Sequence, residues 1–165
     1  MEQIKGSFSS KDGKKISFRP LGSGDAEELL KVINQISKGI SDYSKLTNSQ
    51  MKGLMKARLS IMKRKKGLFL LIECSGKIIG ECTLHKTNSK LGVGVIGIGL
   101  LKEFRNLGIG KKILRNTINF AGRMNIKQIV AETSSKNKSA IKLYAGIGFK
   151  EIKRDKNEIT FVRTV

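Results

Sequence analysis

The chain has 165 residues, 39% hydrophobic and 28% charged, a balance that fits a folded globular domain and excludes a disordered tail. Lysine and arginine number 33 against 13 aspartates and glutamates, for a formal net charge of +20 that favours anionic partners. No apolar run approaches ~20 residues, no signal core opens the chain, and two cysteines with one histidine argue against a disulfide framework or a structural zinc site.

Residues 7–21 read as a hairpin, with Asp12-Gly13 as the tight turn, Phe8, Ile16 and Phe18 alternating around it, and Pro20 closing the second strand. Asp25 with Glu28 resembles a capping box opening a helix whose apolar side is Leu29, Leu30, Ile33 and Ile36, with Gly39 as its stop. Thr47 with Gln50 opens a second helix to about residue 64, with Met51, Leu54, Met55, Leu59 and Met62 on its apolar side. The tract Lys63-Arg64-Lys65-Lys66 suits a solvated last turn, where cations meet the helix dipole, better than a nucleic-acid patch.

Residues 68–84 read as another hairpin around Gly76-Lys77, followed by a strand from Val93 to Leu101. A helix over about 109–124 presents Ile113, Leu114, Ile118 and Ala121 on one face. A strand over Ile126–Thr133, a short helix over 136–146, a strand opening at Gly148-Phe149 and a last strand over 158–165 complete the chain. The order predicts a single α+β domain over 1–165: a mixed, twisted sheet with helices on both faces and a parallel crossover through 93–133.

Two glycine motifs compete for attention. Gly92-Val-Gly94-Val-Ile-Gly97 matches G-x-G-x-x-G, but its glycines lie inside β-branched, strand-like sequence, so a dinucleotide fingerprint is rejected. Arg105-Asn-Leu-Gly108-Ile-Gly110 lies between a strand and a helix, where unpaired N–H groups and the helix dipole favour an anion. It is not a Walker A loop, because no glycine stands five positions before Gly110 and no Ser or Thr follows the lysine.

Arg105-x-x-Gly108-x-Gly110, together with Asn137-x-x-Ala140-x-x-Leu143-Tyr144-x-x-x-Gly148-Phe149, resembles the Gcn5-related N-acetyltransferase (GNAT) family. The resemblance runs from Lys15 to the C-terminus and implies about seven strands, acetyl-CoA as co-substrate and direct transfer of acetyl to a primary amine. It implies that the backbone of Ile98 and Leu100 pairs with pantetheine. The Leu100 N–H would polarise the thioester carbonyl. The pyrophosphate would sit on the N–H groups of Leu107, Gly108, Ile109, Gly110, Lys111 and Lys112, in a seat that Arg105 and Asn106 open. Asn137 joins the cofactor set as part of the second motif, with Lys138 and Lys142 as candidates for the 3′-phosphate. The glycine-rich strand would leave room beside the docked cofactor.

Tyr144 matches the family's thiolate acid; a phenol of pKa about 10 can protonate a departing thiolate of pKa about 8.5. Glu132 is the first choice of base, since its Glu-x-x-x-x-Asn spacing to Asn137 is shared with bacterial ribosomal-protein N-terminal acetyltransferases. Glu81 is the runner-up, and His85 reads as a solvated strand-end histidine. The region 25–64 would shape the acceptor site, and Asp42 is the only acid between Glu28 and Glu73. That argues against polyamine or aminoglycoside acceptors and for a protein or peptide amine. An N-terminal amine, of pKa about 8 against about 10.4 for lysine, loses its proton more readily. The expected partners are thus acetyl-CoA and an amine acceptor in the cytoplasm, with both thiols reduced. No membrane and no nucleic acid are expected, and a homodimer is left open. A non-catalytic acyl-CoA-binding protein of the same fold is the first alternative, and a basic nucleic-acid-binding module, supported by net charge alone, is the second.

Overall fold

The computed structural model describes residues 4–38, 46–87 and 91–165. The predicted stop at Gly39 and the lone acid Asp42 lie outside them. Eight strands form one sheet, where about seven were expected. They are β1 (Gly6–Ser9), β2 (Lys15–Pro20), β3 (Gly67–Cys74), β4 (Lys77–Lys86), β5 (Val93–Leu100), β6 (Gln128–Ser134), β7 (Lys150–Arg154) and β8 (Glu158–Thr164). The order across the sheet is β1-β2-β3-β4-β5-β6-β8-β7. Only β5 and β6 run parallel, as the crossover between them predicts.

Among the described residues, four α-helices divide between the two faces: α1 (Ala26–Ser37) and α2 (Asn48–Lys63) on one, α3 (Ile109–Ala121) and α4 (Lys138–Ala145) on the other. Strand alternation builds a core on each side. Ile16, Ile72, Cys82, Leu84, Ile96 and Ile129 pack against Ile109, Ile113 and Leu114 of α3. Phe69, Leu71 and Ile78 pack against Leu29, Met51 and Met55. Each side chain fully removed from water contributes roughly 1.5–3 kcal/mol. No helix among the described residues is long and apolar enough to cross a membrane.

The two capping boxes have different fates. Thr47 and Gln50 cap each other as expected: the Gln50 N–H donates to Thr47 Oγ1 (3.3 Å), and the Thr47 N–H donates to Gln50 Oε1 (2.8 Å). Asp25 instead accepts both Arg19 Nη groups at 2.8 Å and the Gly22 N–H at 2.6 Å, while Glu28 accepts the Ile78 N–H (2.8 Å). An arginine on the neighbouring strand outcompetes the local cap, because its bonds carry charge on both partners. Residues 63–66 are exposed and wrap the end of α2, with Lys65 left-handed at φ 56°.

A bulge changes the β3–β4 register between Ile72 and Glu73, so Ile79 is the extra residue. Ile78 joins the α1–α2 core and Ile79 the α3–α4 core by ordinary alternation, and the extra residue then shifts the phase, so that Cys82, three positions after Ile79, returns to the α3–α4 core. Because of that phase shift Glu81, which pairs with Leu71, is on the α1–α2 face and not on the face of Ile79.

Candidate active site

The strand that carries the site loses a neighbour part-way along. β6 pairs with β5 only at Val93–Val95, so Ile96–Leu100 have β4 on one side and no β6 partner on the other. The Leu101 N–H donates to the Ile79 carbonyl (2.9 Å) across β4. By antiparallel alternation, the main-chain groups of Ile98 and Leu100 point the other way, into the gap. Arg105 Nε donates to the Leu100 carbonyl (2.9 Å) and ties the following loop to the strand end.

That loop is held by left-handed residues at Asn106 (φ 63°) and Gly108 (φ 78°), conformations that Asn and Gly adopt at least cost. Gly108 is the N-cap of α3 and offers no side-chain acceptor. The Lys112 N–H donates to the Gly108 carbonyl (3.2 Å), so Ile109, Gly110 and Lys111 present N–H groups without intrahelical partners. A Cβ on Gly110 would lie 3.1 Å from Leu143 Cδ2, so the bare backbone there lets α3 and α4 approach. Asn137 Oδ1 caps α4 by accepting the Ala140 N–H (3.1 Å).

A cavity of about 400 Å³ lies between these parts. Of the sequence-predicted residues, Ile98, Leu100, Arg105, Asn106, Gly108, Gly110, Lys111 and Asn137 line it. Lys11, Arg105, Lys111 and Lys142 bring four cations to the lining, which contains no Asp or Glu. The geometry is that of an anion seat joined to an open strand edge.

The sequence profile of the Acetyltransferase (GNAT) family matches residues 38–149. The chain belongs to this family. It is 37% identical over 89 residues to N-alpha-acetyltransferase 30 of Dictyostelium discoideum, covering 53% of this chain and 48% of that one. It thus spans about half the length of that curated relative, and less of the vertebrate proteins of the same name. The GNAT domain of S. lividans PAT has the same fold, with a TM-score of 0.82 at 15% identity over 98% of this chain and 97% of that one. So does yncA of Salmonella typhimurium, solved with its cofactor acetyl-CoA: TM-score 0.76 at 16% identity, over 90% and 93% of the two chains.

Some residues drawn from the GNAT resemblance turn their side chains away from the cavity. Leu107, Ile109 and Lys112 do not line it, although the Ile109 N–H has no intrahelical partner. Ile109 is fully buried in the core and Leu107 packs against it, because the turn into α3 faces them inward. The Lys112 N–H is already engaged within the helix. Its Nζ donates to the Ser9 carbonyl (3.0 Å) and sits 4.9 Å from the centre of the Phe8 ring. Of the two 3′-phosphate candidates, Lys142 lines the cavity and Lys138 does not. The space at Gly99 is occupied by Ile36 of α1, 3.2 Å from where a Cβ would stand, so that glycine serves helix packing rather than the cofactor alone.

Neither Tyr144 nor Glu132 lines the cavity. Tyr144 is 3% exposed, with its ring 5.4 Å from that of Phe149 and 5.7 Å from that of Phe161. Burial and the nearby Cys82 push its hydroxyl well above the ordinary phenol range. Burial also pushes the Cys82 thiol up, to about 12, and the thiol pairs with Thr117 Oγ1 at 3.5 Å. Glu132 is exposed and alternates with buried Ile129 and Ala131, so it lies on the face opposite α3 and α4.

Glu81, the runner-up base, is engaged. Arg58 of α2 donates to both of its oxygens, at 2.5 and 3.1 Å, and the side chains are only 11% and 17% exposed. Arg58 also lies 5.3 Å from the Phe69 ring centre. His85 stacks on the other partner of that contact, 6.4 Å from Phe69 at 9°, and is half-buried rather than a solvated strand-end residue. Lys11 and Ser139 are the polar lining residues that sequence reasoning missed. Lys11 lies about a hundred positions from the loop it meets, beyond the reach of any local motif.

Proposed function

We propose that the chain is an acetyl-CoA-dependent N-acetyltransferase acting on a primary amine, and that its acceptor is the α-amine of a protein or peptide. The observation that carries this reading is the cavity itself: four cations, unpaired helix N–H groups and an open strand edge, with no carboxylate among the lining residues. Acetyl-CoA presents the matching groups, a pyrophosphate and two pantetheine amides. The Ile109–Lys111 N–H groups with Arg105 and Lys111 would hold the pyrophosphate, and Lys142 would meet the 3′-phosphate. The Ile98 and Leu100 main chain would pair with the amides, and the Leu100 N–H would stabilise charge on the thioester oxygen.

For transfer, Tyr144 is assigned as the acid that protonates the leaving thiolate. Burial keeps its hydroxyl protonated throughout the working pH range. Glu132 is assigned as the base: Glu81 is committed to Arg58, whereas Glu132 is exposed on the face that α1 shares. The N-terminal acceptor is supported by the match to an N-alpha-acetyltransferase and by the Glu132–Asn137 spacing. We read residues 1–165 as one domain, and both cysteines, free in the structure, suit a reducing cytoplasmic setting.

Acetyl-CoA at ~100 times its Kd should stabilise the protein by ~2.7 kcal/mol in a thermal-shift titration. Release of CoA thiol in the presence of peptides, but not of N-terminally blocked ones, would identify the acceptor. The burial of Tyr144 favours one second reading, an acyl-CoA-binding protein without transferase activity. Tyr144→Phe separates the two: the proposed acid requires a fall in kcat of ~100-fold with acetyl-CoA binding intact. Unchanged turnover would remove Tyr144 from the chemistry.

A further inference from the structure

The hairpin β1–β2 lies outside the residues that the GNAT profile matches, yet it touches the glycine loop. Two bonds fasten it there: the Lys11 N–H donates to the Leu107 carbonyl (3.1 Å), and Lys112 Nζ donates to the Ser9 carbonyl (3.0 Å). The Lys11 side chain runs over Gly108; its Cγ, Cδ and Cε lie 3.5–3.9 Å from where a Cβ on Gly108 would stand. These are ordinary van der Waals separations, so the lysine stem lies directly over the N-cap of α3. From there Lys11 joins the cavity lining.

We infer that Lys11 is a ligand of the cofactor's pyrophosphate, and that the β1–β2 hairpin is a strap holding this cation over the helix N-terminus. The inference rests on the acetyl-CoA reading above, which counts Lys11 among the cavity's cations but gives it no role.

The hairpin exchanges one cation for another. It draws Lys112 away from the loop, onto the Ser9 carbonyl and the Phe8 ring, and supplies Lys11 in its place. Lys11 is not neutralised within the protein: among the described residues it forms no ion pair. The adjacent carboxylate, Asp12, is occupied by Lys14 and by the Ser10 hydroxyl (2.5 Å). Four cations around one cavity repel each other when no anion is present, and a pyrophosphate relieves that repulsion. Because the stem lies over Gly108, the charge is delivered where the α3 N–H groups begin. That position favours the pyrophosphate over the 3′-phosphate, for which Lys142 of α4 is available.

The test is calorimetric titration of the wild-type chain and Lys11→Gln with CoA and with dephospho-CoA, which lacks only the 3′-phosphate. The substitution keeps the backbone N–H that fastens the hairpin, and an unchanged melting temperature without ligand would confirm that the strap is seated. Loss of a charge-assisted contact should weaken binding of both ligands by ~10-fold, and Lys11→Arg should restore most of it. Equal affinity in Lys11→Gln and wild type would overturn the inference while leaving the cofactor reading intact. A loss confined to CoA would overturn it too, by assigning Lys11 to the 3′-phosphate. Wild-type protein that bound neither ligand would overturn the cofactor reading, and the inference with it.

Discussion

The two faces of the sheet treat charge in opposite ways. On the α1–α2 face, cations are matched inside the protein: Arg58 is bidentate to Glu81, and Arg19 bridges Asp25 and Glu73. On the α3–α4 side, the cavity gathers Lys11, Arg105, Lys111 and Lys142 with no acidic neighbour in its lining. Paired charges fix strands and helices in register and leave little attraction for a ligand. Unpaired ones of a single sign contribute little to the fold and keep their attraction for a polyanion. The net charge of +20 therefore says less about function than where the acids are placed.

The largest effect that would sharpen this contrast is loss of Arg58. Arg58→Ala leaves the Glu81 carboxylate nearly buried without its partner, which typically costs ~3–5 kcal/mol. A chain of this size should then melt roughly 6–20 °C lower. Replacing both residues, Arg58→Met with Glu81→Leu, should recover most of that loss, since the unpaired charge is what destabilises. Equal destabilisation in the single and double variants would show that the pair contributes through packing instead. CoA affinity of the folded protein should change far less than stability, as neither residue lines the cavity.

A smaller effect is expected at the loop. Gly108 holds φ 78°, and an alanine there should cost about 1–2 kcal/mol of stability. The strain falls on the turn that aims the α3 N–H groups, so CoA binding should weaken as well. The two variants thus part company: Arg58→Ala lowers stability far more than affinity, and Gly108→Ala lowers stability modestly and affinity with it. If Gly108→Ala bound CoA normally, the loop would be a mere connector.

Much of the fold could be read from the sequence because it rests on local signals. Asp12-Gly13, the Thr47–Gln50 box and the Gly108-x-Gly110 turn each act within a few residues. The donor side was legible for the same reason, being made mostly of backbone groups that one short motif positions. What escaped notice depends on partners far apart in the chain. Arg58 carries the chemistry of an exposed residue and is buried because Glu81 arrives from β4. Asp25 abandons its cap for Arg19 on a neighbouring strand. Lys11 meets Gly108 only after the sheet has formed. The β4 bulge, which puts Glu81 on the face opposite Ile79, has no turn residue to announce it.

The smallest predicted effect probes the paired face by pH. His85 is the only histidine in the chain, and burial against Phe69, with Arg58 nearby, lowers its pKa below the ordinary 6.5. The fold therefore favours the neutral ring. Above the unfolded pKa, near 6.5, both states are neutral and the stabilisation is fully present. As the pH falls towards the folded pKa, the unfolded chain binds a proton that the folded chain resists, and stability declines until both are protonated. Asp25, paired with Arg19, is depressed below the ordinary carboxylate range and titrates lower, so the interval from about pH 7 to 5 is where His85 should show. Chemical denaturation across that interval should show a shallow loss in the wild type that His85→Gln flattens. A slope surviving in His85→Gln would assign the titration to another group and detach His85 from the Arg58–Glu81–Phe69 cluster.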